Sequence, residues 1–579
     1  MNQKETELSM VNNKISRGAK ILLMQLPFWT PLIPPQGIAR IKGYLKGFGY
    51  LDVKTIDACI IGDFKDLYEK YFDTAKAFIP PQLQGNFYDN GHDLLRNHLM
   101  AKLNMQNESD YIQLLKLFYR ETYLCDLNDR QIKKLDGIIQ VFYQEFENYF
   151  NDLLKSEQPA VLGLTVHAGN LPVSMFAYQL AKKYNPEIMT VMGGSIFAAE
   201  LGVDTPDYKN YLKKTAPYLD KIIIGQGERL FLKLLEGHIP TKQRLITAND
   251  MDTEILDISS FERPDLSDFQ LAKYSCMAGY CSKSCPNKCS FCNERAFFGE
   301  YQARDPIVAV EEMISIYQQS GTKLFYMLDV IMNDVITDFT AELRKHDLPI
   351  YFDCYLRVAD EVCNPDNTLL WRQGGGYRVR LGVESGSQRM LDLIGKGITV
   401  EQTKAALANL AHAGIKTTAY LVVGLPGETQ EDFQKTLDLI EESKDNFYQI
   451  EPHLFRYFYT GQSHSDKWAK RRFPIYPEKF QNSLVCQTWW VDQEPSRKTA
   501  VRRLCEMVEH CKKLGITNPY SIYDKYKADL RWKNLHENAV PSVADLNEPS
   551  HWLLAERKAV KKRIIAKRTI KEEGDFAFK

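Results

Sequence analysis

Short apolar runs alternating with amphipathic helix patterns, each run closing on a glycine or a polar residue, set the limits on how this chain can fold. Lys20 to Leu26 reads as a strand buried on both faces, and Gly37 to Phe48 carries Ile38, Ile41, Tyr44 and Leu45 at helical spacing. Val53 to Ile56 is a second strand ending at Asp57, so the three form a βαβ unit with a right-handed crossover. The alternation returns with strand Ala160 to Val166, helix Leu171 to Lys183, strand Ile188 to Met192 and strand Lys221 to Ile224. Such an order predicts a doubly wound, Rossmann-like α/β sheet that takes its ligand across the C-terminal strand ends. Residues 63–155 interrupt it with helical stripes at Leu114, Leu117 and Phe118 and from Leu135 through Phe142 and Phe146 to Leu153. Stripes of this kind are core, so the segment is expected to be a helical insertion, serving as a lid or an interaction surface.

A second alternation follows. Strands are expected at 274–277, 323–328, 350–355, 377–383, 417–423 and 448–454, with helices at 306–319, 334–346 and 400–413. Six βα units are too few for a closed eight-fold barrel. They predict a partial (β/α)6, TIM-like barrel with its active site at the C-terminal mouth. The expected organisation is a disordered N-terminus over 1–18, the first domain over 19–238, a linker over 239–270, the barrel over 271–465 and a mainly α-helical domain over 466–579. That last stretch carries a basic cluster at Lys467, Lys470, Arg471 and Arg472, the pair Trp489-Trp490 and a basic end from Arg557 to Lys571. Its plainest role is to cover substrate, with the charge runs as solvated helix faces.

The 579 residues carry 73 basic and 74 acidic side chains, a net of −1, so no global field argues for nucleic acid or an anionic membrane. No apolar stretch is long enough for a membrane span, and a cytoplasmic location is expected. Twelve cysteines in so long a chain fit a reducing compartment better than a disulfide framework.

Three of those cysteines cluster as CxxxCxxC: Cys285, Cys289 and Cys292. Three thiolates can hold three irons of a cubane cluster, and the next cysteine downstream is the distant Cys354, so one iron is left open for chemistry. The competing readings are unrelated buried thiols or a zinc site, which would usually pair CxxC with a second CxxC or HxxxH. Cys276 and Cys281 lie close by and are read as buried bystanders. With Phe291 just before the last cysteine, the motif resembles the radical S-adenosylmethionine (SAM) superfamily. The resemblance implies a [4Fe–4S] cluster on the three cysteines, SAM chelated by the open iron, a 5′-deoxyadenosyl radical, and an electron donor such as flavodoxin or ferredoxin. It also implies SAM contacts at the barrel strand ends: Asp329 near the methionine amino group, Arg357 for the carboxylate, Glu384 and Ser385 near the ribose, and Gly424 of Gly424-Leu425-Pro426-Gly427-Glu428-Thr429 near the adenine.

The first domain resembles the cobalamin-binding domain of one branch of that superfamily. The shared features are Phe28 and Trp29 in the Pro27–Pro35 loop, the turn Gly193-Gly194-Ser195, and Gly225-Gln226-Gly227-Glu228 opening a helix. Thr165 and His167, at a strand end, are implied to border the corrinoid. One departure stands out: where histidine-ligating cobalamin proteins carry DxHxxG after the first strand, Asp57-Ala58-Cys59-Ile60-Ile61-Gly62 follows the second and has cysteine for histidine. The expected activity is methylation of an unactivated carbon of a small-molecule or peptide substrate. Alternatives are a non-methylating rearrangement or ring contraction, and a non-catalytic corrinoid sensor. No membrane partner is expected and nucleic acid is disfavoured.

Overall fold

The computed structural model describes residues 14–546 except 29–30, 199, 204, 251–256, 261, 460–465 and 518–521. Trp29, the first thirteen residues and the basic end Arg557–Lys571 therefore lie outside the described residues.

Two parallel sheets account for the alternation. The first contains β1 (Ile21–Gln25), β2 (Val53–Asp57), β3 (Val161–Thr165), β4 (Met189–Gly193), β5 (Lys221–Ile223) and β6 (Leu245–Ile246) in the order β2-β1-β3-β4-β5-β6. Every residue of β1 is buried, as a strand covered by helices on both faces must be. β6 falls inside the stretch read as a linker, and two residues are too few to show any period. Residues 14–18, read as disordered, are held by Ile15, whose N–H donates to the Leu235 carbonyl at 2.8 Å.

The second sheet begins at β7 (Met277–Gly279). A small antiparallel pair, β8 (Ser282–Lys283) and β9 (Gln302–Ala303), flanks the cysteine loop. β10 (Leu324–Met327), β11 (Tyr351–Arg357), β12 (Gly376–Glu384), β13 (Lys416–Val423) and β14 (Gln449–Leu454) complete it in the order β14-β13-β12-β11-β10-β7, an open six-stranded barrel. β7 starts three residues later than the sequence suggests. Tyr274 and Cys276 instead bond to the first domain: the Tyr274 hydroxyl donates to Asp57 Oδ2 at the end of β2 at 2.9 Å and the Cys276 N–H to the Leu32 carbonyl at 3.2 Å.

Helices Gly62–Phe78, Phe87–Asn104, Glu108–Tyr123 and Asp129–Glu157 form the insertion. Their aromatic stripe, with Phe118, Phe142, Phe146 and Phe150 buried, belongs to the same core as one face of the first sheet. After the barrel come a hairpin of β15 (Arg472–Pro474) and β16 (Trp489–Val491) and helices Arg497–Lys513 and Ile522–Leu535. The two sheets are joined by a buried ion triad: Glu312 accepts from Arg40 of the first domain at 2.6 Å and from Arg304 at 2.8 Å. Both guanidinium groups lie over the Tyr280 ring, 4.6 and 4.5 Å from its centroid.

Candidate active site

The cysteine loop runs between the C-terminal ends of both sheets. Its Ser290 N–H and hydroxyl both bond the Ile394 carbonyl, at 3.0 and 3.1 Å, which ties the loop to the end of the short helix Gln388–Leu393 that follows β12. Immediately after Cys292, helix Glu294–Phe298 packs against the turn Ser195–Ala198 at the end of β4. The cysteines and the glycine-lined edge of the first sheet therefore border one space.

Cys285, Cys289 and Cys292 are each partly exposed and unpaired by disulfide. Burial pushes the Cys292 thiol up to about 12, and the neighbouring Cys289 and Cys285 add to that rise. A thiol held this way ionises readily only when a cation takes up its charge. Among the described residues no three ligating side chains converge on one ion-sized point. A cubane places each thiolate on a different iron, and three cysteines on one loop are the ligand set it takes.

Arg357, last residue of β11, directs Nη1 to Cys289 Sγ at 3.4 Å, so a fixed positive charge sits beside the cluster loop. Glu384 ends β12 after a register shift and holds φ +64°, a left-handed conformation uncommon outside glycine. Lys396, which sequence reasoning missed, donates to its carboxylate at 2.6 Å, and both side chains are buried. Ser385 points away: its hydroxyl is bonded to Thr436 at 3.2 Å and accepts from the Ser387 N–H.

Asp329 is also turned inward. Its carboxylate accepts from the Cys281 N–H at 3.0 Å and the Ser282 hydroxyl at 2.7 Å, tying β10 to the strand that enters the cysteine loop. Burial raises its pKa to about 7 against those hydrogen bonds. In this arrangement it positions the loop instead of facing a ligand. Gly424 holds φ +83°, and a Cβ there would lie 2.4 Å from Ala500 Cβ, so glycine is required by the packing of helix Arg497–Lys513. Its N–H donates to Glu428, which pairs with Arg503 at 2.8 Å.

On the first sheet, the loops after β1, β3, β4 and β5 gather at one edge. Phe28 is buried there against Phe142. Gly194 holds φ +116° and a Cβ would strike the Val166 carbonyl oxygen at 2.4 Å, so only glycine lets β3 and β4 close up at this point. His167 Nδ1 is hydrogen-bonded to Ser195 at 2.7 Å, and burial lowers its pKa to about 4, which leaves a neutral imidazole. Thr165 and Gly193 end their strands side by side. Gly227 and Glu228 open the helix after β5, where Glu228 acts electrostatically on Lys283 beside the cysteine loop. Cys59, just past the end of β2, is buried and its thiol donates to the Leu26 carbonyl at 3.3 Å.

The barrel lumen beneath holds a polar layer not singled out from sequence. The hydroxyls of Tyr326 and Tyr355 are 2.9 Å apart, and Arg380 donates to Tyr420 at 2.9 Å and to Asp353 at 2.9 Å. Above it His453 stacks on Tyr420 at 5.3 Å and bonds Asp89 of the insertion through Nδ1 at 3.0 Å. The readable signal was the period-two run Asp353, Tyr355, Arg357 beside Arg378 and Arg380, polar residues alternating inward along two adjacent strands.

Residues 280–440 match the family model of the Radical SAM superfamily. The chain carries a radical SAM domain. Such a domain implies a [4Fe–4S] cluster and SAM. The chain is 28% identical over 322 residues to the anaerobic magnesium-protoporphyrin IX monomethyl ester cyclase of Rubrivivax gelatinosus, a match covering 51% of this chain and 56% of that protein. It thus spans about half the length of that cyclase. A tRNA-2-methylthio-N(6)-dimethylallyladenosine synthase of Anoxybacillus flavithermus is 23% identical over 65% of this chain and 70% of its own. In fold, the chain is similar to the radical SAM methyltransferase TsrM from Kitasatospora setae, solved with cobalamin and a [4Fe–4S] cluster. That TM-score is 0.58 at 13% identity, covering 90% of this chain and 97% of TsrM. No helix among the described residues is long and apolar enough to cross a membrane.

Proposed function

We propose that this radical SAM enzyme is cobalamin-dependent and methylates an unactivated carbon of a small-molecule or peptide substrate. The observation that carries the reading is the packing of helix Glu294–Phe298 on the Ser195–Ala198 turn, which puts the cysteine loop and the glycine-lined edge of the first sheet around one space. Bound there, the cluster with SAM would supply a 5′-deoxyadenosyl radical and the corrinoid a methyl group. Cys285, Cys289 and Cys292 would hold three irons. Arg357 offers a guanidinium for the SAM carboxylate, a geometry suited to bidentate pairing. Glu384, oriented by Lys396, can accept from ribose hydroxyls. Gly193, Gly194, Ser195, Thr165, His167 and the Gly225–Glu228 turn would border the corrinoid, with a neutral His167 able to donate or accept a hydrogen bond. Phe28 closes the apolar side, and the insertion and the tyrosine layer keep water out. A flavodoxin or ferredoxin would deliver the electron.

A second reading, a rearrangement without methylation, draws on the similarity to the magnesium-protoporphyrin cyclase. Anaerobic reconstitution tests the shared part. The protein should bind about four irons and form 5′-deoxyadenosine from SAM, and replacing all three cysteines with alanine should abolish both; survival of 5′-deoxyadenosine formation in that variant would rule the cluster out.

A further inference from the structure

At the N-terminal end of the barrel strands, the end of helix Arg497–Lys513, the turn Lys444–Asn446 and helix Ile522–Leu535 enclose an open groove with room for about 650 Å³. Lys444 and Asp445 directly precede β14. The six residues of that strand, rising about 3.3 Å each, put the groove roughly 20 Å from the barrel mouth and the cysteine loop.

Helix Ile522–Leu535 is apolar on two sides. Ala528 and Trp532 are buried against the barrel with Ala411 and Tyr448. Tyr526 and Leu530, one turn apart, face the other way at 55% and 49% exposed, and Leu535 at the helix end is 41% exposed. A helix lying on a protein surface normally turns polar residues outward, so the second apolar side is one without its cover. Leu530 and Leu535 line the groove together with Leu514, and exposed apolar side chains gathered in a hollow mark a docking site.

The charge on the groove is one-sided. Lys444, Lys513, Lys527 and Arg531 line it, against one carboxylate, Asp445, among the described residues. Lys513 also complements the C-terminal end of its own helix, which accounts for one cation and not four. Arg531 is held in place: Nη1 donates to the Phe447 carbonyl at 2.7 Å and Nη2 to the Lys444 carbonyl at 2.6 Å, while Asp445 approaches only to 3.8 Å. Two neutral carbonyls orient that guanidinium without cancelling its charge.

We infer that this groove docks an acidic amphipathic segment of a protein partner, with its apolar side chains against Leu530 and Leu535 and its carboxylates over the four cations. Helix-in-groove recognition works this way, and the complementary charge selects the partner. A lipid surface takes up apolar side chains that stand proud of the protein, whereas these line a hollow. The inference goes beyond the proposed reaction, because the groove contains none of the residues assigned to the cluster, SAM or the corrinoid.

The test uses the full chain reconstituted with cluster and cobalamin and follows the fluorescence anisotropy of a labelled, helix-forming peptide of about 15 residues. One version carries Leu at i, i+3, i+4 and i+7 spacing with Glu elsewhere; the other has Lys for every Glu. The Glu peptide should bind with a Kd of about 10 μM and lose about tenfold in affinity between roughly 0.05 and 0.5 M salt. The Lys peptide should not bind. Leu530→Asp and the pair Lys444→Glu/Lys513→Glu, all at exposed positions, should each weaken the Glu peptide about tenfold, with circular-dichroism melts confirming that the variants fold. No binding of the Glu peptide, equal binding of the Lys peptide, or affinity that both variants leave intact overturns the inference. So does a dimer in sedimentation velocity that Leu530→Asp abolishes, which makes the occupant a second copy of this chain. Co-sedimentation with phosphatidylserine vesicles that the same variants lose overturns it too, by making the occupant a lipid surface.

Discussion

Among single residues, the site depends on charges held where water cannot compensate them. Glu384 and Lys396 are 2.6 Å apart with side chains only 8% and 7% exposed, so each charge depends on the other. Lys396→Met should therefore cost about 3–5 kcal/mol of stability, the usual penalty for stranding one member of a buried pair. The double variant Glu384→Gln/Lys396→Met should recover part of that loss in denaturant melts. The sequence made Cys285, Cys289, Cys292, Arg357 and Glu384 legible because motif spacing and strand ends are one-dimensional signals. Lys396 was hidden because nothing local marks a lysine after a glycine as the partner of a residue twelve positions earlier. Asp329 was legible as a strand-end carboxylate, but which way it points is settled by the Cys281 and Ser282 donors packed beneath it.

Among the elements, helix Phe87–Asn104 is latched to the end of the last barrel strand. Asp89 meets His453 at 3.0 Å, Asp93 pairs with Arg456, and the Asn86 side chain donates to the Pro452 carbonyl at 2.9 Å. Burial pulls the His453 pKa down, but Asp89, helped by Glu451 and Glu384, outweighs it and leaves the value above its ordinary 6.5. Asp89 is shifted the other way: burial raises it, His453 and Arg456 prevail, and it lies below 3.8. The histidine's contribution is complete below 6.5 and fades as pH rises through its higher folded value. Asp89 contributes fully above 3.8 and fades as pH falls through its lower one. Hydrogen exchange at the start of this helix, corrected for intrinsic rate, should thus be faster at about pH 8.5 than at about pH 6. His453→Gln should remove the difference. Element order was readable because strand and helix periods differ, whereas β6, with two residues, and the docking of the insertion on β14 are set by tertiary contacts alone.

Across the molecule, two sheets must present their C-terminal ends to one space, and the buried Arg40–Glu312–Arg304 triad around Tyr280 is one of the contacts that hold the two domains together. Glu312→Ala would leave two buried guanidinium groups unpaired and should cost about 3–5 kcal/mol, with looser corrinoid retention on gel filtration as its functional trace. Whether one chain brings a radical SAM centre face to face with a methyl-carrying corrinoid can be decided by mass. The reduced, reconstituted protein is incubated with SAM labelled CD3 on its methyl group, and the corrinoid is then released and weighed. CD3-cobalamin is expected on corrinoid that co-elutes with the protein; 5′-deoxyadenosine formation from a chain that neither retains a corrinoid nor labels it would overturn the two-cofactor reading.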